Sequence, residues 1–287
     1  MIPRRVYLGC LVATLVPATM AGQEKAAARR APDVHFVPTE STMVRSMLKV
    51  AKVGNNDVVY DLGCGDGRIV IAAVKEFRAK RGVCVDIDPV RIAESRHNAD
   101  TAGVARRITF HEGDLFQMDL RSATVVTLYL LPALNERLRP KLFRELRPGS
   151  RVVSNSFDMG DWKPDSTLNG NPASQFFHFA YYWVMPADVG GTWRVKVKNE
   201  GDYTLGLEQR YQHVIGTASA GEDKAELSEF VLKGDSVRFV ISDSLRFAGR
   251  VAGEQAKGKV ARGDESRSWT AERVKKADRP ETAEKAD

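Results

Sequence analysis

A glycine-rich segment at residues 61–67, with the sequence DLGCGDG, constrains this chain more than any other feature. It follows a β-branched run at residues 58–60 and precedes an apolar segment at residues 69–77 with helical spacing. A strand, a glycine turn and a helix in this order let the backbone approach a nucleotide-like ligand at the carboxyl end of the strand. The segment therefore predicts an α/β fold with a ligand site at this turn.

The details of the turn separate it from a dinucleotide site. Its glycines follow a GxGxG spacing, whereas nicotinamide-binding proteins use GxGxxG. Asp61 stands before the first glycine, where its charge would repel a pyrophosphate. A carboxylate at this position suits a ligand that has a cationic ammonium group and no phosphate. S-adenosylmethionine is such a ligand, since it combines an amino-acid end, a sulfonium and an adenosine.

Strands and helices alternate from residue 34 to about residue 187, which is typical of a parallel sheet. The apolar runs predict helices over residues 69–77 and 134–146 and a helix that begins at Pro89. Residues 158–175, rich in Asp, Gly, Pro, Asn and Ser, are expected to form a loop. The predicted strands are residues 58–62, 83–86, 108–110, 123–130, 151–154 and 177–184.

Acidic residues follow the second and third predicted strands as well as the first. Asp86 ends the second strand, where a carboxylate can accept hydrogen bonds from both ribose hydroxyls. Asp114 follows the third strand, where an acid can hold the adenine amino group. Each acid by itself could sit in a surface turn, but three acids after three successive strands favour one cofactor site.

The pattern changes after residues 190–191. Short alternating runs, separated by Gly-Asp and Asp-Ser turns, replace the helical spacing as far as residue 274. We interpret residues 188–274 as an all-β barrel or sandwich. Residues 275–287 are charged and lack large apolar side chains, so we expect a disordered tail.

The N-terminal residues have the composition of a targeting segment. Arg4 and Arg5 precede a mostly apolar stretch, and small residues near Ala21 offer a cleavage site. Residues 1–21 are therefore expected to be a signal peptide, which resembles the twin-arginine type, or an N-terminal anchor. Residues 22–33 are interpreted as a linker. This predicts an exported, periplasmic or inner-membrane-associated protein, with membrane proximity through the N-terminal segment, or a cytoplasmic one if the leader is not used.

Charge and cysteine content exclude several classes of function. The net charge is +6, but residues 1–21 carry +2 and residues 22–33 carry +1, so half of it lies outside the folded part and a nucleic-acid partner is not expected. Cys10, Cys64 and Cys84 are too few for a disulfide scaffold and lack the paired spacing of a zinc site. The five histidines are scattered, and no metal site is predicted.

Several segments together resemble one family. They are Pro38-Thr39, a predicted helix over residues 43–53, and residues 58–69, 123–127, 138–142 and 149–154. They resemble the archaeal broad-specificity protein lysine methyltransferases and their mitochondrial relatives, which modify the ATP synthase c-subunit and the adenine nucleotide translocase. The resemblance covers residues 34–165. It implies that residues 34–187 form a Rossmann-like class I methyltransferase sheet with helices on both faces, with S-adenosylmethionine as donor and a protein with an accessible lysine as acceptor.

The resemblance and the pattern of acids predict the site residues. Thr39 is expected to close over the methionine end of the cofactor, although it could equally be a helix N-cap. The expected cofactor-binding residues are Thr39, Asp61, Gly63, Cys64, Gly65, Asp66, Gly67, Asp86, Ile87, Asp114 and Leu115.

The acceptor end departs from the enzymes that methylate planar amides or bases. After the fourth strand the chain has residues 129–132, YLLP, and lacks an Asn/Asp-Pro-Pro-Tyr motif. Tyr129, Leu131 and Trp162 are candidate walls of an apolar slot for an amine, while Asp119 and Asp158 could orient the incoming ammonium. Tyr129 and Asp119 are accordingly the catalytic candidates. The added β domain leaves open a small amine or lipid as acceptor, and the export signal leaves open an exported, non-catalytic binding protein on the same fold.

Overall fold

The computed structural model describes residues 31–169, 179–242 and 244–277. The leader and most of the linker, like residues 278–287 of the predicted tail, lie outside the described residues. None of the helices in the described part is both long and apolar enough to cross a membrane.

The first half of the chain alternates strands with helices, as its apolar runs predict. The elements are α1 (Ser41–Val50), β1 (Val58–Leu62), α2 (Arg68–Lys75), β2 (Arg81–Asp86), α3 (Pro89–Thr101), a 3₁₀ turn (Ala105–Arg107), β3 (Ile108–Glu112), β4 (Val125–Leu128), α4 (Pro132–Glu145), β5 (Arg151–Asn155), β6 (Ser166–Asn169) and β7 (Phe179–Val184). The helix α3 begins where Pro89 fixes the first turn and the Asp88 carboxylate accepts the Val90 amide.

These strands form one mixed sheet in the described part of the chain, in the order β3-β2-β1-β4-β5-β7-β6. The first five are parallel to their neighbours, and β7 is antiparallel to both β5 and β6. The predicted α/β class is confirmed. The interpretation of residues 158–175 as a loop was wrong for β6, a polar edge strand whose sequence STLN has no apolar alternation.

Alternate side chains of β1 enter two separate cores. Val59 packs with α1, α2 and α3 on one face of the sheet, while Tyr60 and Leu62 pack with Leu138 of α4 on the other. Helices therefore cover both faces, as expected for a parallel sheet whose strands are buried on each side.

The second half of the chain is a closed antiparallel barrel of described strands. Its members are β8 (Gly191–Val197), β9 (Gly201–Arg210), β10 (His213–Ala220), β11 (Asp223–Lys233), β12 (Ser236–Ile241), β13 (Leu245–Ala252), β14 (Gln255–Arg262) and β15 (Glu265–Lys276). Because β15 runs to Lys276, the predicted tail overlaps its last two residues.

Aromatic side chains fill the barrel. The rings of Phe239 and Phe247 stack with centroids 4.7 Å apart, and Trp269 meets Phe247 edge-on at 5.8 Å. One cavity among the described interior residues is about 20 Å³, the volume of roughly one water molecule. The interior is therefore a packed core.

The barrel docks on the segment that follows β5. Asp161 accepts hydrogen bonds from Arg210 and from the Tyr211 hydroxyl, each 2.9 Å long, and Trp162 Nε1 donates to Gln212 Oε1 at 2.9 Å. On another side, Gly234 of the β11–β12 turn packs against Gly149, just before β5 begins. The barrel is thus held near the amino-terminal edge of the sheet.

Candidate active site

The sequence-predicted site lies where the strand order reverses, between β1 and β4. Ligands of open α/β sheets bind at such a switch point, outside the carboxyl ends of the strands. Asp61 of β1 lies between Thr127 of β4 and Cys84 of β2 in the register of the sheet. The glycine turn begins two residues later and so lies over this edge.

Asp61 is the most unusual polar group of the site. Its side chain is buried, Oδ1 accepts a 2.8 Å hydrogen bond from Thr127, and Oδ2 has no hydrogen-bond partner in the described structure. Burial raises the pKa of this carboxyl to about 8, with smaller contributions from the charges of Asp86 and Asp66, while the Thr127 bond opposes the shift. A cationic donor beside Oδ2 would satisfy the orphan oxygen and stabilise the ionised form.

The glycine turn is fixed to the end of β2. The amides of Gly63 and Cys64 both donate to the Val85 carbonyl, and the Gly65 amide donates to Asp86 Oδ2 at 2.9 Å. Gly65 has a positive φ of 53°, and a Cβ atom there would overlap the ring of Phe36. The turn therefore needs glycine both for its conformation and for the close approach of a neighbour.

Asp66 and Gly67 connect the turn to α2. Gly67 precedes α2 in the left-handed conformation. The Asp66 carboxylate pairs with Arg68 at 2.5 Å, and Arg68 also donates to the Thr39 carbonyl. The structure thus uses the Asp66 side chain to hold the N-terminal segment against α2.

The acids after β2 and β3 lie half-buried at the same edge of the sheet. Asp86 accepts the amides of Gly65 and Asp88. Asp114 accepts the amide of Phe116. Ile87 and Leu115, next to these acids, are half-buried as well. The ends of three neighbouring strands thus present the three predicted carboxylates.

Thr39 is buried and lies two residues before the first residue of α1. The helix α1 begins at Ser41 with Glu40 in the N-cap position, so Thr39 does not cap it. Its Oγ1 instead accepts a 3.3 Å hydrogen bond from Asn155 at the end of β5. The N-terminal segment therefore spans the carboxyl edge of the sheet between α2 and β5.

Aromatic side chains lie where β4 and β5 end. The Tyr129 ring lies 6.3 Å from the Phe157 ring, and its hydroxyl hydrogen-bonds with Ser156. Burial raises the pKa of this phenol above its usual value. Asn135 of α4 fixes the neighbouring segment, since its Nδ2 donates to the carbonyls of Phe157 and Asp158.

Two other acceptor-side candidates lie elsewhere. Asp119 is exposed and bound by Arg121, whose hydrogen bonds hold the pKa of this carboxyl far below its usual range. The following residue, Leu120, bonds to Glu145 at the carboxyl end of α4, and this is the opposite edge of the sheet. Trp162 is completely buried against Trp183 and Phe143, so the interpretation as a wall of an open slot was wrong.

Sequence reasoning missed the disulfide between Cys64 and Cys84 and the roles of Thr127, Asn135 and Phe157. A separation of 20 residues between two cysteines gives no pairing signal. The polar side chains could be located only once the strand register was known. Within the described residues, no group of three or more metal-ligating side chains could hold a metal ion.

The residues present fit the donor that the sequence predicts. The orphan oxygen of Asp61 suits an ammonium, and the half-buried carboxylates of Asp86 and Asp114 suit hydroxyl and amino donors.

Comparison with known proteins identifies the family. The model of the ANTKMT methyltransferase domain matches residues 61–166. A protein-lysine N-methyltransferase of Saccharolobus islandicus is 45% identical over 154 residues, which cover 54% of this chain and 95% of that enzyme. This chain belongs to the protein-lysine N-methyltransferase family. It is an S-adenosylmethionine-dependent methyltransferase.

Two further proteins are similar to part of this chain. The adenine nucleotide translocase lysine N-methyltransferase of Mus musculus is 32% identical over 139 residues, 47% of this chain and 60% of that enzyme. Among solved structures, an RNA methyltransferase from Salinibacter ruber bound to S-adenosyl-L-homocysteine is 50% identical, with a TM-score of 0.49, and covers 52% of this chain and 93% of that one. The matched parts amount to about half of this methyltransferase.

Proposed function

We propose that this methyltransferase transfers methyl groups to the ε-amine of lysine side chains in a protein. The observation that carries the proposal is the 45% identity to the Saccharolobus protein-lysine N-methyltransferase over 95% of that enzyme's length. The similarity thus spans nearly the whole length of that enzyme.

The chemistry of the acceptor end supports an amine. A lysine ammonium has a reference pKa near 10.4, so it must lose a proton before its nitrogen becomes a nucleophile. Apolar surroundings disfavour the ammonium and lower this pKa. The paired rings of Tyr129 and Phe157 and the exposed side chain of Leu131 supply such surroundings beside the end of β4.

Tyr129 does not act as the base. Burial raises the pKa of its phenol, so the group stays protonated and neutral at physiological pH. Asp119 is paired with Arg121 on the far edge of the sheet. The ammonium therefore loses its proton to water, and the protein contributes desolvation and alignment.

S-adenosylmethionine supplies an electrophilic methyl group on a sulfonium when it is bound. Asp61 would hold its ammonium, Asp86 its ribose and Asp114 its adenine, while the glycine turn allows close backbone approach. In this assignment all three acids contact the cofactor, and Tyr129 and Phe157 contact the acceptor.

The barrel gives no support to a small amine or a lipid as the acceptor. Its interior cavity of about 20 Å³ is too small for an amine or a lipid chain, and it packs against Gly149, at the edge opposite the cofactor residues. The acceptor must therefore reach Tyr129 and Phe157 from the protein surface. A lysine side chain that projects from another protein can do this.

A labelling experiment tests the acceptor class. The full chain is incubated with methyl-labelled donor and a lysate, which is then separated into protein, RNA and small-molecule fractions. We expect label in protein and, after hydrolysis, in methylated lysine. The Asp61→Asn variant is the matched control for background transfer. Label confined to RNA, to a lipid or to a free amine would overturn the lysine proposal while leaving the methyltransferase assignment intact.

We also propose that the protein is exported through its leader, with its N-terminal segment near the membrane as the alternative. The basic and apolar pattern of residues 1–21 supports this, and a buried disulfide fits an oxidising compartment. Cell fractionation with N-terminal sequencing tests it. A chain that keeps Met1 and is found in the cytosol would contradict export.

A further inference from the structure

A disulfide bond lies directly beneath the cofactor turn. Cys64 stands between the first two glycines of the turn, and Cys84 lies in β2, level with Asp61 of β1. Cys64 is 5% exposed and Cys84 is fully buried, in the apolar cluster shared with α1, α2 and α3. The disulfide therefore lies in the apolar core beneath the turn.

The hydrogen bonds of the turn converge on the same strand end. The amides of Gly63 and Cys64 share the Val85 carbonyl, and the Gly65 amide bonds to the Asp86 carboxylate. Residues 85 and 86 directly follow Cys84, so the covalent bond and these hydrogen bonds fix one register between the turn and β2. Glycines at three positions of the turn give its backbone the freedom to change conformation where such contacts are lost.

This register also fixes the geometry of the cofactor residues. Asp86 both anchors Gly65 and carries a carboxylate expected to bind the ribose, while Asp61 lies in β1 beside Cys84. A shift of the turn relative to β2 would move the backbone that approaches the ligand and would release one side of Asp86. Preorganisation of a binding loop raises affinity because less conformational freedom is lost when the ligand binds.

We propose that the Cys64–Cys84 disulfide is a positioning element of the cofactor site, which holds the glycine turn in its binding conformation, and that reduction of the bond weakens cofactor binding. The inference concerns cofactor affinity and does not depend on the identity of the acceptor.

The chemistry is a thiol–disulfide exchange. When the bond forms, the two thiols lose two electrons and two protons to a disulfide oxidant, which becomes a dithiol. A dithiol reductant reverses this and becomes a disulfide itself. Two separate thiol sulfurs no longer hold the turn covalently to β2, and they need more room than a bonded pair.

Burial of both sulfurs predicts a reciprocal effect. A reductant reaches Cys64 only when the turn opens, since attack requires access to a sulfur atom. A ligand that binds the closed turn lowers the population of the open one. Cofactor binding should therefore slow the reduction of the bond.

The test uses the full chain with Cys10→Ser, which leaves Cys64 and Cys84 as its only thiols. Affinity for S-adenosylhomocysteine is measured by calorimetry in the oxidised form, after reduction with dithiothreitol, and after reoxidation. We expect at least a tenfold loss of affinity on reduction and full recovery on reoxidation. Equal affinities in the two forms would overturn the proposal.

Two further measurements separate positioning from general folding. Hydrogen exchange in the ligand-free protein should show faster exchange at the amides of Gly63, Cys64 and Gly65 after reduction, with unchanged exchange in the barrel strands. The double variant Cys64→Ala/Cys84→Ala should reproduce the reduced form under oxidising conditions. Oxidised-like affinity and turn protection in that variant would refute the role of the bond, as would loss of the whole fold on reduction. A reduction rate unaffected by saturating S-adenosylhomocysteine would also contradict it.

Discussion

Thr127 Oγ1 donates a 2.8 Å hydrogen bond to Asp61 Oδ1 across the two central strands of the sheet and leaves Oδ2 buried without a protein partner. A buried carboxylate oxygen without a donor is costly unless a ligand supplies one or the group is protonated. The orphan Oδ2 of Asp61 therefore suits a cation at the candidate site, and in the ligand-free protein burial favours the protonated carboxyl while the Thr127 bond opposes this.

Asp61→Asn should remove cofactor binding with little change in shape. The amide cannot neutralise an ammonium, and loss of a buried charge-assisted hydrogen bond costs about 3 kcal/mol, or roughly 100-fold in affinity. Calorimetry with S-adenosylhomocysteine measures this. Asp119→Asn, which alters an exposed carboxylate on the opposite edge, is the control and should bind normally. Normal binding by Asp61→Asn would sink the assignment of the ammonium site.

Cofactor binding should release a proton near neutral pH. The pKa of Asp61 is about 8 in the ligand-free protein, so its carboxyl is mostly protonated at pH 7 and must ionise to pair with an ammonium. Affinity should fall as the pH decreases below 8. Calorimetry at pH 7 in two buffers of different ionisation enthalpy measures the released proton. Thr127→Val removes the hydrogen bond that lowers this pKa, so the fall in cofactor affinity should begin at a higher pH. The same dependence of affinity on pH in this variant and in wild type would refute the link between Asp61 ionisation and cofactor binding.

The same group predicts how stability depends on pH. Between its reference value of 3.8 and its folded value of about 8, the folded chain keeps a proton that the unfolded chain has lost. The stability of the ligand-free protein should therefore fall as the pH rises through this window, by at most about 1.4 kcal/mol per unit. Urea unfolding at pH 5.5 and 7.5 measures how the free energy of unfolding changes with pH. The difference in this change between wild type and Asp61→Asn isolates the contribution of Asp61. Identical slopes would argue against a buried protonated carboxyl.

The strand ends that carry the candidate cofactor residues could be predicted from the sequence because they depend on local patterns. Buried parallel strands are nearly continuous apolar runs, and the acids at positions 61, 86 and 114 follow such runs directly. The structure brings these ends to one edge because adjacent parallel strands share a direction.

The acceptor side and the second domain could not be predicted to the same depth. Phe157 and Asn135 act through contacts between segments about 20 residues apart, which no local pattern encodes. A closed barrel and a sandwich share the same alternation of inward and outward side chains, so the sequence left both open. The sequence makes Trp162 a candidate wall of the apolar slot, but aromatic packing with Phe143 and Trp183 buries it.

Gly65→Ala should weaken cofactor binding through the turn. Alanine adds a Cβ atom that overlaps the Phe36 ring, at a backbone conformation that L-residues seldom adopt. The double variant Gly65→Ala/Phe36→Ala relieves the overlap and should recover part of the affinity for S-adenosylhomocysteine. Gly103→Ala, at a positive φ with open space around it, is the control and should bind as the wild type does. If the double variant recovers no affinity, the loss in Gly65→Ala comes from the positive φ at this position and not from overlap with Phe36.

Phe157→Ala should affect the acceptor and spare the cofactor. The ring stacks with Tyr129 beside the end of β4, and its loss would expose the proposed amine site to water. We expect a rise of about tenfold in KM for the protein acceptor, with affinity for S-adenosylhomocysteine within about twofold of wild type. Phe157→Leu keeps an apolar wall and should lie in between. A change confined to cofactor affinity would assign Phe157 to the other side of the site.

Trp162→Ala should destabilise the contact between sheet and barrel far more than Asp161→Asn does. The Trp162 ring is completely buried and its Nε1 bonds to Gln212, so truncation leaves a large cavity and costs about 3–5 kcal/mol. Asp161 is partly exposed and pairs with two arginines. The pair that reaches the barrel, with the exposed Arg210, is worth at most about 1 kcal/mol in water, and the pair with Arg139 of α4 does not join the two halves. Urea unfolding followed by tryptophan fluorescence and by far-UV circular dichroism measures both variants.

Because the barrel has its own filled core, Trp162→Ala should separate the unfolding of the two halves into distinct transitions, whereas Asp161→Asn should keep a single one. A single transition in both variants would mean that Gly149 and Gly234, on the other side of the contact, suffice to couple the barrel to the sheet.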